Sequence, residues 1–162
     1  MPDHLAPYER ALEGLRTPPR RALDLGTGTG AGAIAIAQCF PQAEVVGIDL
    51  AEQMVERARR KLPNELSGRV RFEVGDASRL PYDDESFDLV AHANMFPFFD
   101  ELDRVLASNG WTLFAFSGGS DTPIYVPFDR LRRELGRRGF TDFADFAVGR
   151  GTALLARKAQ GS

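Results

Sequence analysis

The sequence has little of several features that would point to particular classes of protein. Its single cysteine, Cys39, has no partner for a disulfide and no cluster of neighbouring metal ligands, which fits a reducing compartment. The formal net charge is only −3 over 162 residues, so no excess of one sign would attract a polyanion. These shortages disfavour nucleic acid, a metal centre and a disulfide framework, and they favour a small-molecule partner.

Long apolar runs are also lacking. No stretch approaches the roughly 20 apolar residues that are needed to span a bilayer. The start, Met1-Pro2-Asp3-His4, does not have the basic and apolar regions of a signal peptide. We therefore predict a cytoplasmic protein with no membrane partner, and the length and 43% hydrophobic content predict one domain.

From residue 21 onward, short apolar runs alternate with segments of helical periodicity. This alternation is typical of a parallel sheet with crossover helices. Strands are predicted at 21–25, 44–49, 70–75, 87–93 and 111–117, with a hairpin of 140–148 and 152–157, and helices at about 30–40, 50–62, 94–107 and 128–138. The predicted fold is α/β, a Rossmann-like doubly wound sheet of seven strands that is mostly parallel with a C-terminal antiparallel hairpin. This single domain would span 21–162, after an N-terminal helical preface at 1–20.

Groups suited to a nucleoside follow the predicted strands. Ligands of open parallel sheets bind outside the carboxyl ends of the strands. The first predicted strand ends in a turn with Gly26, Gly28 and Gly30, where a ligand can approach the main chain and meet the free N–H groups of a helix N-terminus. Asp49 ends the second and can accept the hydroxyl protons of a ribose. Asp76, after the third, can accept a hydrogen bond from an adenine amino group.

The glycine turn by itself fits two kinds of cofactor. Gly26 to Ala31 also satisfies the dinucleotide pattern G-x-G-x-x-G/A, which keeps a NAD(P)-dependent oxidoreductase as an alternative. Asp24, two residues before the first glycine, would repel a pyrophosphate but suits the ammonium of an amino-acid cofactor. The chain also leaves no second region for a dehydrogenase substrate. Both observations favour a cofactor with an amino-acid moiety.

Ordered segments of the chain resemble the motifs of class I S-adenosylmethionine-dependent methyltransferases, within the broad small-molecule (methyltransferase domain 11-like) group. The segments are 22–30, 46–50 followed by Met54, 74–77, 80–82 and 84–90. The resemblance covers about 21–117 and implies S-adenosylmethionine as cofactor and S-adenosylhomocysteine as product. It implies transfer of a methyl group to an unidentified small-molecule acceptor.

The same resemblance assigns roles by position. The glycine turn with Asp24 would receive the methionine moiety, and Asp49 would hold the ribose hydroxyls. Leu50 would pack on the adenine, and Asp76 with Ala77 would meet the adenine edge. The full set of expected cofactor-binding residues is Asp24, Gly26, Thr27, Gly28, Gly30, Asp49, Leu50, Asp76, Ala77 and His92.

His92 is the candidate catalytic residue. It lies near the end of the fourth predicted strand, where the resemblance places the reactive end of the cofactor. Methyl transfer is an in-line displacement that proximity and orientation can accelerate without a base. If a base acts, His92 suits the role because an unperturbed histidine pKa of about 6.5 allows proton removal at neutral pH. The alternative is a hydrogen-bonded structural histidine.

Two further points stay open in the sequence. The segments before the first predicted strand and at 118–127 are short where relatives build lids, so we expect an open site and keep a non-catalytic cofactor-binding or regulatory module as an alternative. Met95, Phe96, Phe98 and Phe99 are interpreted as core residues, or else as the lining of an apolar substrate pocket. The sequence does not identify the acceptor or the oligomeric state, and a homodimer stays open.

Overall fold

A computed structural model describes residues 2–121 and 124–160. In these ranges the strands are β1 (Arg21–Leu25), β2 (Glu44–Asp49), β3 (Val70–Val74), β4 (Phe87–Ala93), β5 (Leu106–Phe116), β6 (Phe140–Val148) and β7 (Gly151–Lys158). The α-helices are α1 (Ala6–Glu13), α2 (Ala31–Cys39), α3 (Glu52–Lys61), α4 (Phe99–Val105) and α5 (Phe128–Arg137). Short 3₁₀ turns lie at Pro2–Leu5, Asn64–Leu66 and Gly119–Asp121.

The described strands form one seven-stranded sheet in the order β3-β2-β1-β4-β5-β7-β6. β1 pairs in parallel with β2 and β4, and β7 pairs antiparallel with β5 and β6. The predicted doubly wound fold with a C-terminal antiparallel hairpin is therefore confirmed. Because β7 is inserted between β5 and β6, the turn of the hairpin lies beside the carboxyl end of β5.

Helices pack on both faces of this sheet. α1, α2 and α3 bury their apolar side chains against one face, while α4 and α5 cover the other. Successive side chains of a strand point to opposite faces. In β1, Leu23 and Leu25 therefore enter the core beneath α4 and α5, whereas Asp24 points toward α1.

β5 begins earlier than predicted, at Leu106 instead of Trp111. Leu106 pairs with Phe87 ahead of a register irregularity, and Asn109 takes a left-handed φ of 69°. Residues 108–110 lie between the predicted helix at about 94–107 and the predicted strand at 111–117. In the structure these residues form a bulge within β5, and β5 pairs with β4 on both sides of the bulge.

The predicted N-terminal preface contains α1, which packs on α2, β5, β6 and β7. Tyr8, Ala11 and Leu12 are buried there, in the same core as α2 and α3. The boundary drawn at residue 20 stays a prediction. Across residues 2–121 and 124–160, every helix is too short or too polar to cross a membrane.

Candidate cofactor site

The sheet has its topological switch point between β1 and β4. β1 leads through α2 to β2 on one side, and β4 leads through α4 to β5 on the other, which opens a crevice at their carboxyl ends. Gly26 leaves β1 and Met95 follows β4, and a Cβ added at Gly26 would lie 2.6 Å from Met95 Sδ. The fold thus brings the predicted glycine turn to the crevice, against a methionine that sequence reasoning did not place there.

The glycines of the turn serve different purposes. Gly28 has a φ of +56°, and a Cβ built on it would meet nothing within 4 Å. Gly30 has a φ of +92°, and its Cβ would lie 2.7 Å from Phe72 Cζ and 3.2 Å from Ala58 Cβ. Gly28 therefore leaves open space for a ligand to approach the main chain, whereas Gly30 allows close packing of the turn against α3 and β3.

Asp49 is tied to the glycine turn. Its Oδ2 accepts a hydrogen bond from the Gly28 N–H at 2.9 Å, and its Oδ1 accepts one from the Ala51 N–H at 2.9 Å. Each carboxylate oxygen has two acceptor sites, so both oxygens can accept a further proton donor. The half-buried Asp49 therefore orders the turn and still presents acceptors to hydroxyl groups.

A cavity of about 160 Å³ adjoins Asp49. Its walls include Asp49, Leu50, Asp76, Ala77, Met95 and Phe98. The Leu50 side chain is 72% exposed and Phe98 39% exposed, an unusual display of apolar surface beside a carboxylate. Since sites for whole ligands usually measure roughly 300–1,000 Å³, this cavity can hold only part of a larger ligand.

Asp76 lies exposed at the far wall of this cavity. Its Oδ1 accepts hydrogen bonds from the Ser78 hydroxyl at 2.7 Å and the Ser78 N–H at 2.9 Å. The Ser78 hydroxyl and amide hold the pKa of the Asp76 carboxyl below its ordinary value. The carboxylate is thus charged at neutral pH and directed by its own turn, with Oδ2 available to a ligand.

Asp24 lies away from the crevice. It is 1% exposed and accepts hydrogen bonds from Tyr8 Oη at 2.7 Å and Thr27 Oγ1 at 2.8 Å. Burial raises the pKa of Asp24 to about 6, although the Tyr8 and Thr27 hydrogen bonds oppose that change. Because its face of the sheet is covered by α1, contact between Asp24 and a methionine ammonium stays a prediction that this arrangement does not favour. Thr27 likewise turns its hydroxyl inward.

His92 is also enclosed. It is 1% exposed, stacks on Phe114 with ring centroids 4.0 Å apart, and pairs through Nδ1 with the Leu113 carbonyl oxygen at 3.0 Å. A carbonyl only accepts, so Nδ1 carries the proton. Burial lowers the pKa of His92 to about 4. His92 is absent from the described walls of the cavity, so its roles as base and as cofactor contact stay predictions, and the structural alternative fits its surroundings better.

The aromatic segment after β4 is more exposed than a core segment. Phe96 is 55% exposed, and Met95 and Phe98 line the cavity. Met95 and Phe99 also pack against the core on the side of α4 and α5, and the Arg138 guanidinium lies over the Phe99 ring. Met95 and Phe98 therefore belong to the cavity beside Asp49, and the alternative that this segment lines a substrate pocket stays a prediction. In the described residues, no three His, Cys, Asp or Glu side chains are grouped as metal ligands.

Comparison with known proteins agrees with this geometry. The chain is 48% identical over 98 residues to the demethylmenaquinone methyltransferase of Deinococcus radiodurans. The aligned region covers 60% of this chain and 40% of that protein. It is 39% identical over 114 residues to the malonyl-[acyl-carrier protein] O-methyltransferase of Halorhodospira halophila, with 66% and 38% covered. The chain thus spans about two fifths of the length of these relatives.

Structural comparison gives the same fold. A SAM-dependent methyltransferase from Aquifex aeolicus superposes with a TM-score of 0.78 at 18% identity, over 98% of this chain and 94% of that one. The family model of the methyltransferase domain matches residues 22–110, which include the glycine turn, Asp49 and Asp76. On that match, the chain belongs to the methyltransferase domain family.

Proposed function

We propose that this protein is an S-adenosylmethionine-dependent methyltransferase that acts on a small-molecule acceptor. The observation that carries the proposal is the hydrogen bond from the Gly28 N–H to Asp49 Oδ2 at 2.9 Å, at the mouth of an apolar cavity. This bond places open main chain and a ribose-type acceptor side by side. Membership of the methyltransferase family favours this function over dinucleotide-dependent redox chemistry.

The residues present fit the parts of this cofactor. The open space over Gly28 admits a ligand against the main chain, where an added Cβ would intrude. Asp49 would accept hydrogen bonds from the ribose hydroxyls. The exposed Leu50 would pack beneath the adenine and be removed from water. Asp76 would accept a hydrogen bond from the adenine amino group, and the buried Ala77 lines the cavity beside Asp76. The product, S-adenosylhomocysteine, has the same nucleoside and would use the same contacts.

When bound, S-adenosylmethionine supplies a methyl group on a positively charged sulfur. The chain's own contribution is to fix the position of the cofactor and to exclude water from its apolar side. Asp49 and the glycine turn are held by hydrogen bonds that exist before binding, so little order has to be gained when the ligand arrives. Holding reactants in line is sufficient for a large acceleration. We assign His92 no proton transfer, because its ring is enclosed.

The acceptors named for the relatives are the natural first candidates. Demethylmenaquinone and a malonyl group on acyl carrier protein differ strongly in polarity, so a screen that includes both would separate an apolar from a charged acceptor. A cytoplasmic location and the absence of nucleic-acid or membrane partners stay predictions. A binding module without turnover is the outcome to be excluded by the same screen.

The test is titration calorimetry with S-adenosylhomocysteine, which requires no knowledge of the acceptor. Wild type should bind, and Asp49→Ala should bind at least tenfold more weakly, since it loses hydroxyl contacts and the tie to the turn. Glu56→Ala, on the exposed face of α3, removes a carboxylate elsewhere and should bind like wild type. Failure of the wild type to bind would refute the proposal. Binding without methylation of any acceptor would favour the binding module.

A further inference from the structure

A second and larger cavity lies at the same edge of the sheet as the cofactor site. Its volume is about 590 Å³, within the range of small-molecule sites. Three separate segments enclose it: the start of the chain at His4 and Ala6, the end of β5 at Ser117, and the hairpin turn at Gly149 and Arg150. None of the segments described so far as cofactor-binding contributes to it.

The segments meet closely at the base of this cavity. A Cβ added at Gly151 would lie 2.6 Å from Pro7 Cγ and 3.1 Å from the Ser117 carbonyl oxygen. A Cβ at Gly119 would collide with the carbonyl oxygen of Arg150. Glycine thus allows the N-terminal segment, the exit of β5 and the hairpin turn to come together, which makes the cavity a feature of the packed fold.

The cavity adjoins the cofactor site through the exit of β4. Asn94 donates its N–H to the Ala115 carbonyl at 2.8 Å, and its Oδ1 accepts the Ser117 N–H at 2.9 Å. Met95, the next residue, lies against Gly26. Asn94 and Met95 therefore connect Ser117, on the wall of the larger cavity, with the glycine turn on the wall of the smaller one. β1 and β5 both flank β4, about 10 Å apart at the usual strand spacing.

The side chains on these walls favour an anion. Arg150 is exposed and, within the part of the chain that the structure describes, has no carboxylate partner. Arg132, Arg138 and Arg157 are each paired with an aspartate. Arg60, like Arg150, has no carboxylate partner among the described residues, so Arg150 is distinguished by its place on the cavity wall. His4 and Ser117 add polar groups, and no acidic side chain is among the described wall residues. Guanidinium groups bind carboxylates and phosphates with paired hydrogen bonds.

We propose that this cavity is the acceptor site and that it selects acceptors with a carboxylate or phosphate group, which Arg150 binds. The anionic group would act as a handle that orients the acceptor toward the β4 exit and the cofactor. That the bound anion is a methyl acceptor rests on the proposed methyltransferase function. Anion binding in the cavity can be tested independently of that function.

The test follows the amide signals of Gly149 and Gly151 by ¹⁵N NMR while probes are added. Succinate and inorganic phosphate are the anionic probes, and succinamide is the neutral control of the same shape. Succinate or phosphate should shift these signals in wild type, and whichever binds more tightly identifies the preferred anion. Arg150→Gln should weaken that binding about tenfold or more, and Arg150→Lys less. Arg60→Gln, which removes an exposed charge on α3, should leave it unchanged.

Equal shifts with succinamide, or unchanged succinate and phosphate binding in Arg150→Gln, would overturn the inference, as would no response to either anion. S-adenosylhomocysteine is titrated into the same samples and should bind all variants alike. Loss of that binding in wild type, with anion binding retained, would refute the methyltransferase proposal and leave an anion site. The two failures are therefore distinguishable.

Discussion

Tyr8 Oη donates a hydrogen bond of 2.7 Å to Asp24 Oδ1, and both side chains are almost completely buried. The bond joins α1 to the strand that carries the glycine turn. Asp24 in turn accepts the Thr27 hydroxyl at 2.8 Å. The N-terminal helix is thereby connected to the turn through a short chain of hydrogen bonds beneath the cofactor site.

Tyr8→Phe should destabilise the fold, because it leaves the buried Asp24 carboxylate short of one donor. We expect a loss of about 1–3 kcal/mol at neutral pH. The loss should shrink below the Asp24 pKa of about 6, where the carboxyl is protonated and can itself donate. Urea unfolding at pH 5 and pH 8 measures this difference. Tyr125→Phe is the matched control, since the Tyr125 ring packs on Phe116 and its hydroxyl has no partner among the described residues.

Asp24→Asn should change how stability depends on pH. Burial raises the Asp24 pKa from 3.8 to about 6, so the folded protein binds this proton more tightly than the unfolded chain does. Wild type therefore loses stability from this group as pH rises from about 4 to 6. The total is about 3 kcal/mol. The asparagine variant lacks this loss, so its stability relative to wild type should rise across that window. Parallel curves would contradict the buried, protonatable carboxyl.

His92→Asn should have the opposite effect. Burial lowers the pKa of His92 from 6.5 to about 4, so the folded protein binds this proton less tightly than the unfolded chain. Wild type loses stability from this group as pH falls from about 6.5 to 4, by about 3 kcal/mol. The asparagine amide can still donate to the Leu113 carbonyl but does not titrate. The free energy of unfolding of the variant should therefore rise relative to that of wild type as the pH falls. The variant should bind S-adenosylhomocysteine as wild type does. A large loss of cofactor binding would restore His92 as a contact residue.

Alanine substitutions should separate the two purposes of the turn glycines. Gly28→Ala meets no neighbour, so it should cost only about 1–2 kcal/mol for its positive φ. Its methyl group should nevertheless weaken S-adenosylhomocysteine binding at least tenfold. Gly30→Ala adds contact with Phe72 and Ala58 to the same backbone cost, so unfolding should show the larger destabilisation. Equal stability losses for the two variants would refute this division.

The sequence predicted the features that depend on local pattern. Alternating apolar segments predicted the sheet, and the spacing from the glycine turn placed Asp49 at the end of the second strand. The hydrogen bond between the Gly28 N–H and Asp49 was not predicted. Polar residues at strand ends could be located because parallel strands end at one edge. Asp49 and Asp76 accordingly lie at the ends of neighbouring strands and line one cavity, while their roles in cofactor binding stay predictions.

What could not be predicted depends on contacts between distant segments. Asp24 and Leu25 are neighbours in the chain, yet α1 covers only the face on which Asp24 lies, so the burial of its carboxylate follows from the packing of Tyr8. The sequence located His92 at the end of the fourth strand but did not predict the Phe114 ring that encloses it. The cavity around Arg150 has walls from both ends of the chain and no motif.

Because β7 is inserted between β5 and β6, the larger cavity depends on parts of the chain that are synthesised later than the walls of the smaller one. Every described residue that lines the smaller cavity lies between 26 and 98, so its walls have all been made before β5 is translated. The larger cavity has walls from residues 4–6, 117–118 and 148–151, and it closes only when the hairpin has threaded into the sheet. A nascent chain that stops short of β7 would have every described wall of the smaller cavity but would lack the hairpin walls of the larger one.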